Sequence, residues 1–265
     1  MKKLEFGMPT LIELATLEEN VDLCKELGLS FVELNMNLPQ YQMDCIDMAS
    51  LKEFQKRDHI YFTLHLDEKL SVADFNLGVA KAYVDTVLAA IQLAKELNIP
   101  VLNMHFDEGV HFKLPDRKVF LYDYYKDAYL VKLSKFHNLC EQAIGNHEIK
   151  ICIENCSGWR NYAKEGIELL LESKVFALTL DIGHSYCANG VDEEFIKMHL
   201  DRLSHMHLHD ATKEAPHLAL GTGEICLEEQ FHLAKECSCR CVLETKNVEG
   251  LRKSVKFIEL RDAKI

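Results

Sequence analysis

The chain has 265 residues, 48% of them hydrophobic, and its 42 Asp and Glu outnumber 30 Lys and Arg to give a formal charge of −12. That length suits one well-buried core, and an acidic surface repels phosphate polymers at long range, so nucleic acid is a disfavoured partner. Leu4 to Met8 is interrupted by Glu5 and closed by Pro9, too short for the apolar core of a secretory signal, and no later run reads as a membrane span. A cytoplasmic protein with no membrane partner is expected.

Taken in chain order, short apolar runs alternate with helical patterns. The first strand reads Leu4–Met8, and Thr16 with Glu19 three residues on forms a capping box for a helix over 17–27 that Gly28 ends. Phe31–Asn35 precedes a helix over 48–57, and Ile60–His65 precedes one over 77–97. In the latter, Val84, Val87, Leu88, Ile91, Ala94 and Leu97 recur at helical spacing until Asn98 and Pro100 stop it. Val101–His105, Ile149–Glu154, Phe176–Asp181, His205–His209 and Cys241–Glu244 are the remaining strands, followed by helices over 122–146, 163–173, 192–202, 227–236 and 248–260.

Strand then helix, eight times, implies parallel pairing through right-handed crossovers. The fold expected is an α/β single (β/α)8 TIM barrel occupying residues 1–265 as one domain. A doubly wound open sheet is the alternative, but the first strand is followed by Gly7-Met-Pro-Thr-Leu11 and not by a glycine-rich dinucleotide fingerprint. The ten cysteines are scattered, mostly inside apolar runs such as Lys150-Ile-Cys-Ile153, and read as reduced cytosolic thiols. Cys237-Ser-Cys239-Arg-Cys241 could place three thiols on one strand face for a soft metal, but zinc-binding pairs are usually spaced by two to four residues, so three small hydrophobes entering a strand is the better reading.

Glu33, His65, His105, Glu154, Asp181, His207 and Glu244 close the second through eighth strands, and in a parallel barrel those ends share one mouth. A desolvated carboxylate or imidazole without a partner is costly, so such a ring is most economically explained by bound metal. Glu33 is kept outside the metal set, because a neighbouring lysine or a backbone amide would satisfy it equally. In Asp181-Ile-Gly-His184 a glycine-permitted turn brings a histidine back over the mouth. Alternation along His205-Met-His-Leu-His-Asp210 puts three imidazoles on one face; His207 is the first choice as a ligand, with His209 and Asp210 as its supports or as substrate contacts.

These residues resemble the xylose isomerase-like barrel superfamily, which contains sugar epimerases and isomerases, related dehydratases and endonuclease IV. The carriers are Val32-Glu-Leu34, Ile153-Glu-Asn155, Leu180-Asp-Ile-Gly-His184, His207-Leu-His-Asp210, His217-Leu-Ala-Leu-Gly-Thr-Gly223 and Leu243-Glu-Thr245, in order along essentially the whole chain. The resemblance to the epimerase branch implies one divalent ion on Glu154, Asp181, His207 and Glu244. The endonuclease branch would add two zinc ions on histidines matching His65, His105, His184 and His217, but the aspartate it also uses is Ala215 here.

The resemblance therefore implies a metal-dependent sugar isomerase or epimerase, with an endonuclease IV-like zinc phosphodiesterase or a related dehydratase as alternatives. Three carboxylates and an imidazole suit Mn²⁺ first, and admit Mg²⁺, Co²⁺ or Zn²⁺. Glu154 and Glu244 are the expected proton-transfer pair on a small-molecule sugar or sugar phosphate. His65, His105, His184 and His217 are expected to line the sugar pocket, with Trp159 and Arg160 as an apolar platform and a charged clamp. The Gly221-Thr-Gly223 loop could offer amides to an anion, although a plain turn is the simpler reading. The long segment Asp107 to Leu121 is expected to form a lid, and a homo-oligomer is compatible with the sequence.

Overall fold

The computed structural model describes residues 4–261. Its first half runs β1 (Glu5–Pro9), α1 (Leu17–Glu26), β2 (Phe31–Asn35), α2 (Met48–Asp58), β3 (Tyr61–His65), α3 (Leu77–Leu97) and β4 (Val101–His105). A small antiparallel hairpin, β5 (His111–Lys113) and β6 (Lys118–Phe120), follows, then α4 (Leu121–Tyr124) and α5 (Lys126–Ile144). The second half is β7 (Lys150–Glu154), α6 (Asn161–Leu171), β8 (Phe176–Asp181), α7 (Ile182–Cys187), α8 (Glu193–Met198), β9 (Leu203–Leu208), α9 (Leu227–Glu236), β10 (Arg240–Leu243) and α10 (Val248–Glu259). Apart from the hairpin, the strands close into a barrel in the order β1-β10-β9-β8-β7-β4-β3-β2, every pair parallel. This is a (β/α)8 barrel.

Local chemistry accounts for the element ends. The Thr16 hydroxyl accepts from the Glu19 amide while the Glu19 carboxylate accepts from the Thr16 amide, the reciprocal box read from the sequence. Asp47 and Asn76 cap α2 and α3 by accepting from amides of the first turn, without the reciprocal bond, and Asn98 closes α3 in the left-handed region at φ 54°. Several expected bounds differ. The helix expected over 122–146 is interrupted at Tyr125, and 192–202 is a short helix followed by a 3-10 turn at Leu200–Arg202. The segment after β4 contains the hairpin, since Lys113-Leu-Pro-Asp-Arg-Lys118 reverses the chain between two short extended runs. One further correction concerns α3: it is long and apolar enough to cross a membrane by length and composition, yet Val87, Ala90, Ile91, Ala94 and Leu97 are buried in the common core.

Inside the barrel, packing rises from apolar to polar toward the strand C-termini. Gly7 has a steric reason: a Cβ there would lie 2.4 Å from the ring of Phe31, which is fully buried and stacks on Tyr61 at 5.0 Å. Val101, Cys152 and Ala177 form a small apolar cluster. Thr63, Asn103, Thr179 and His205, all fully buried, are polar. All ten cysteines are free thiols; Cys239 and Cys241 are buried, and among the described residues the Cys237–Cys241 run is in no cluster of metal-ligating groups.

Candidate metal centre

Strand register brings the ring of polar side chains together. His105 pairs with Glu154, Asp181 with His207, and the Glu244 amide bonds the Leu208 carbonyl one residue beyond the pair Leu208–Leu243. Glu154, Asp181, His207 and Glu244 present donor atoms that all lie within 4.8 Å of one another. His207 Nδ1 is 3.1 Å from Glu244 Oε2, 3.4 Å from Glu154 Oε1 and 3.8 Å from Asp181 Oδ2. A cation bonded at about 2.0–2.2 Å to each donor requires neighbouring donors about 3–4.4 Å apart, and these separations fall in that window.

The surroundings fix each of the four side chains from behind. Glu154 Oε2 accepts from the Asn103 amide, whose own oxygen accepts from Thr179 Oγ1 at 2.6 Å. Asn155 donates to the Asp181 carbonyl at 3.0 Å and accepts the Asp181 amide at 2.8 Å, and the Asp181 carboxylate caps α7 by accepting from the His184 amide at 2.6 Å. Lys246 Nζ sits 2.7 Å from Glu244 Oε1. His207 Nε2 lies 2.9 Å from Glu33 Oε1, and Glu33 Oε2 meets His205 Nε2 at 3.0 Å and accepts from Thr63 at 2.9 Å. With its Nε2 on Glu33, His207 turns Nδ1 toward the cluster, the arrangement by which a carboxylate orients a ligating imidazole.

Glu33 corrects one expectation: it is the third of five residues in β2, not the strand end, and its side-chain partners are two histidines and Thr63, not a lysine or an amide. Asn103, Thr179 and Lys246 were not singled out from the sequence, and Asn155 entered only as part of the Ile153-Glu-Asn155 motif, without a role. A polar Asn two residues before His105 in an otherwise apolar strand was the available signal.

Three atoms facing the centre have no hydrogen-bond partner although their residues are 0–7% exposed, His207 Nδ1, Glu154 Oε1 and Glu244 Oε2; His207 Nε2, on the far side of the ring, has only its ion-pair contact with Glu33. Buried polar atoms left unpaired are rare and costly. Burial pushes the Glu154 and Glu244 carboxyls upward, but the His207 charge and its neighbours outweigh it and hold both well below the ordinary value. Burial likewise opposes charge on His65 and His184, and their contacts with Glu154 reverse this, raising each to about 9. The site is therefore strongly cation-seeking: without an ion, protons on imidazoles supply the positive charge.

The remaining expected residues divide. His65 Nε2 and His105 Nε2 lie 3.5 and 3.3 Å from Glu154 Oε2, and His184 Nδ1 lies 3.5 Å from Glu154 Oε1, so all three border the centre. His217 Nδ1 is 4.0 Å from Glu244 Oε2, with its backbone in the left-handed region at φ 59°. Trp159 and Arg160 have partners of their own. Trp159 is 9% exposed and packs edge-on against Phe195 with its amide on Asp192. Arg160 is engaged by Glu108 at 3.4 Å and lies 3.6 Å over the Phe120 ring, so it braces the hairpin.

The glycines were also misread in part. Gly183 does not have a positive φ; a Cβ there would lie 1.9 Å from the His209 ring, so the residue is needed for close approach. The amides of Ala211, Gly221 and Ile225 point to the Asp210 carboxylate at 2.9–3.2 Å, so Asp210 organises the Gly221-Thr-Gly223 turn and takes up those donors itself.

Residues 21–261 match the family described as xylose isomerase-like TIM barrel. The chain belongs to this family. A protein of Methanocaldococcus jannaschii, named only as uncharacterized, is 26% identical over 219 residues, covering 78% of this chain and 74% of its own. A solved D-tagatose 3-epimerase-like protein aligns with TM-score 0.79 and 23% identity over 98% of this chain and 97% of its own. The 3-keto-D-glucoside 4-epimerase of E. coli aligns with TM-score 0.76 and 14% identity over 98% and 100%. At these identities the structural likenesses establish the barrel.

Proposed function

We propose that this member of the family is a divalent-metal-dependent sugar isomerase or epimerase, with Glu154, Asp181, His207 and Glu244 holding the ion. The observation that carries the reading is the convergence of three buried, unpaired donors, His207 Nδ1, Glu154 Oε1 and Glu244 Oε2, on one point with Asp181 beside them. The epimerase names of the two aligned solved structures favour a ketose-like substrate. An oxygen-rich donor set favours Mn²⁺ and admits Mg²⁺, Co²⁺ or Zn²⁺. When bound, the ion supplies Lewis acidity that polarises a substrate carbonyl and acidifies the adjacent C–H, an effect on the order of several kcal/mol.

The protein's own part is proton transfer and positioning. Glu154 and Glu244 come from strands separated by β8 and β9, so their carboxylates address a bound ketose from different sides. One removes the proton from the acidified carbon and the other returns a proton to the opposite face, which inverts the stereocentre. Return to the neighbouring carbon would give aldose–ketose isomerisation instead. Each such group contributes about 10²–10⁴ in rate. Their outer oxygens are held by Asn103 and Lys246, which keeps the inner oxygens aimed at the centre. His65, His105, His184 and His217 border the cluster and would hydrogen-bond the sugar hydroxyls.

The deciding experiment supplies the purified protein with Mn²⁺ and follows deuterium uptake from D₂O into a panel of ketoses and inososes. Exchange that requires the ion and vanishes in Glu154→Gln and Glu244→Gln is expected. A panel in which no substrate exchanges, or variants that exchange normally, would remove this function.

A further inference from the structure

His209 lies just beyond β9 and is fully buried, yet it is neither among the four clustered donors nor exposed to the mouth. Both ring nitrogens are committed. Nδ1 has two neighbours, the His217 amide at 2.8 Å and the Asp210 carbonyl at 3.3 Å; the shorter contact is the one with a fixed donor, so Nδ1 accepts from His217 and the proton is placed on Nε2. That Nε2–H lies 3.0 Å from the Asp181 carboxylate. The ring leaves no room beside it, since any Cβ at Gly183 would overlap it at 1.9 Å.

We infer that His209 is a positioning residue that holds the Asp181 carboxylate toward the centre and ties it to the loop carrying His217. The bond to the His217 amide holds that residue in its left-handed backbone conformation, where its ring stands 4.2 Å from that of His209 and 5.3 Å from that of His184. Asp181 receives its orientation from two directions, the His184 amide at the start of α7 and His209 from β9. Loss of a group that orients a metal ligand typically weakens metal binding about 10–100-fold. The inference rests on the metal reading given above.

Two isosteric variants separate the halves of the linkage. Asn at position 209 keeps an acceptor near Nδ1 for the His217 amide and loses the donor to Asp181; Gln reaches Asp181 and loses the acceptor. Free Mn²⁺ counted by electron paramagnetic resonance gives the affinity directly. His209→Asn and Gly183→Ala are expected to weaken Mn²⁺ binding about 10–100-fold, whereas His209→Gln stays near wild type and instead raises the KM for the ketose. Leu170→Ala, a core truncation in α6, is the stability control: it lowers Tm and leaves the Mn²⁺ affinity alone. Wild-type affinity in His209→Asn overturns the inference, as does an equal loss in the Asn and Gln variants that follows Tm. A wild-type protein that binds no Mn²⁺ instead overturns the metal reading beneath it.

Discussion

The two ends of the barrel treat charge in opposite ways. At the N-terminal end, cations meet backbone carbonyls at helix ends and in the turns into the next strand: Arg202 donates to the carbonyls of Leu171, Ser173 and Phe176, Lys150 to that of Lys174, and Lys95 to that of Ala143. These groups complement the negative ends of the helix dipoles and complete the backbone's hydrogen bonding. At the C-terminal mouth, carboxylates and imidazoles face one another with central atoms unpaired. Cations bound to backbone carbonyls serve the fold, whereas unpaired carboxylate and imidazole atoms gathered at one mouth fit the cation proposed to bind there.

Four measurements would break or sharpen that contrast. The largest effect is expected from Glu154→Gln and Glu244→Gln, each lowering turnover by at least about 10²–10⁴ with the circular dichroism spectrum unchanged. Next, Mn²⁺ at a hundred times its Kd should stabilise the protein by about 2.7 kcal/mol, read by calorimetry against a chelator-treated sample; no shift would leave the mouth without its inferred partner. Arg202→Met should cost about 1–3 kcal/mol by orphaning buried carbonyls, while the increment in Tm produced by Mn²⁺ stays unchanged. The smallest effect is expected at the hairpin. Phe112 is 58% exposed on the arm proposed to shield the substrate, and Phe112→Ser should raise KM a few-fold while kcat is retained.

The pH dependence tests the same contrast through protons. His65 and His184 are raised from 6.5 to about 9 in the folded, ion-free protein. Because their folded values exceed the unfolded ones, the stability they contribute is fully present below about 6.5 and is lost as pH rises through about 9. The chelated protein should therefore lose Tm between pH 7 and 9.5, and a divalent ion should flatten the curve. Equal slopes with and without the ion would contradict it.

Much of this was legible in the sequence because it rests on local rules. Apolar runs ending in Glu154 and Asp181, or one residue past His207, mark strand C-termini, and parallel strands in a ring leave those ends no alternative but a shared mouth. The capping box at Thr16 and the stop at Asn98 are set by a few neighbouring residues, so they too could be read directly. Glu33 could not be placed, since which side chain a mid-strand carboxylate meets depends on β9, 172 residues away from Glu33 at His205, where His205 and His207 approach it.

The sequence by itself determined the alternation of elements, the barrel and which carboxylates and imidazoles reach the mouth, because periodicity, capping and side-chain chemistry act over short stretches of chain. Only the tertiary structure decided which polar groups are paired and which are left open: Arg160 drawn to Glu108 and Phe120, Trp159 packed on Phe195, Asp210 turned into its own loop, and His209 seated against Gly183. Pairing and close approach are properties of distances between remote segments, and those are set when the ring closes.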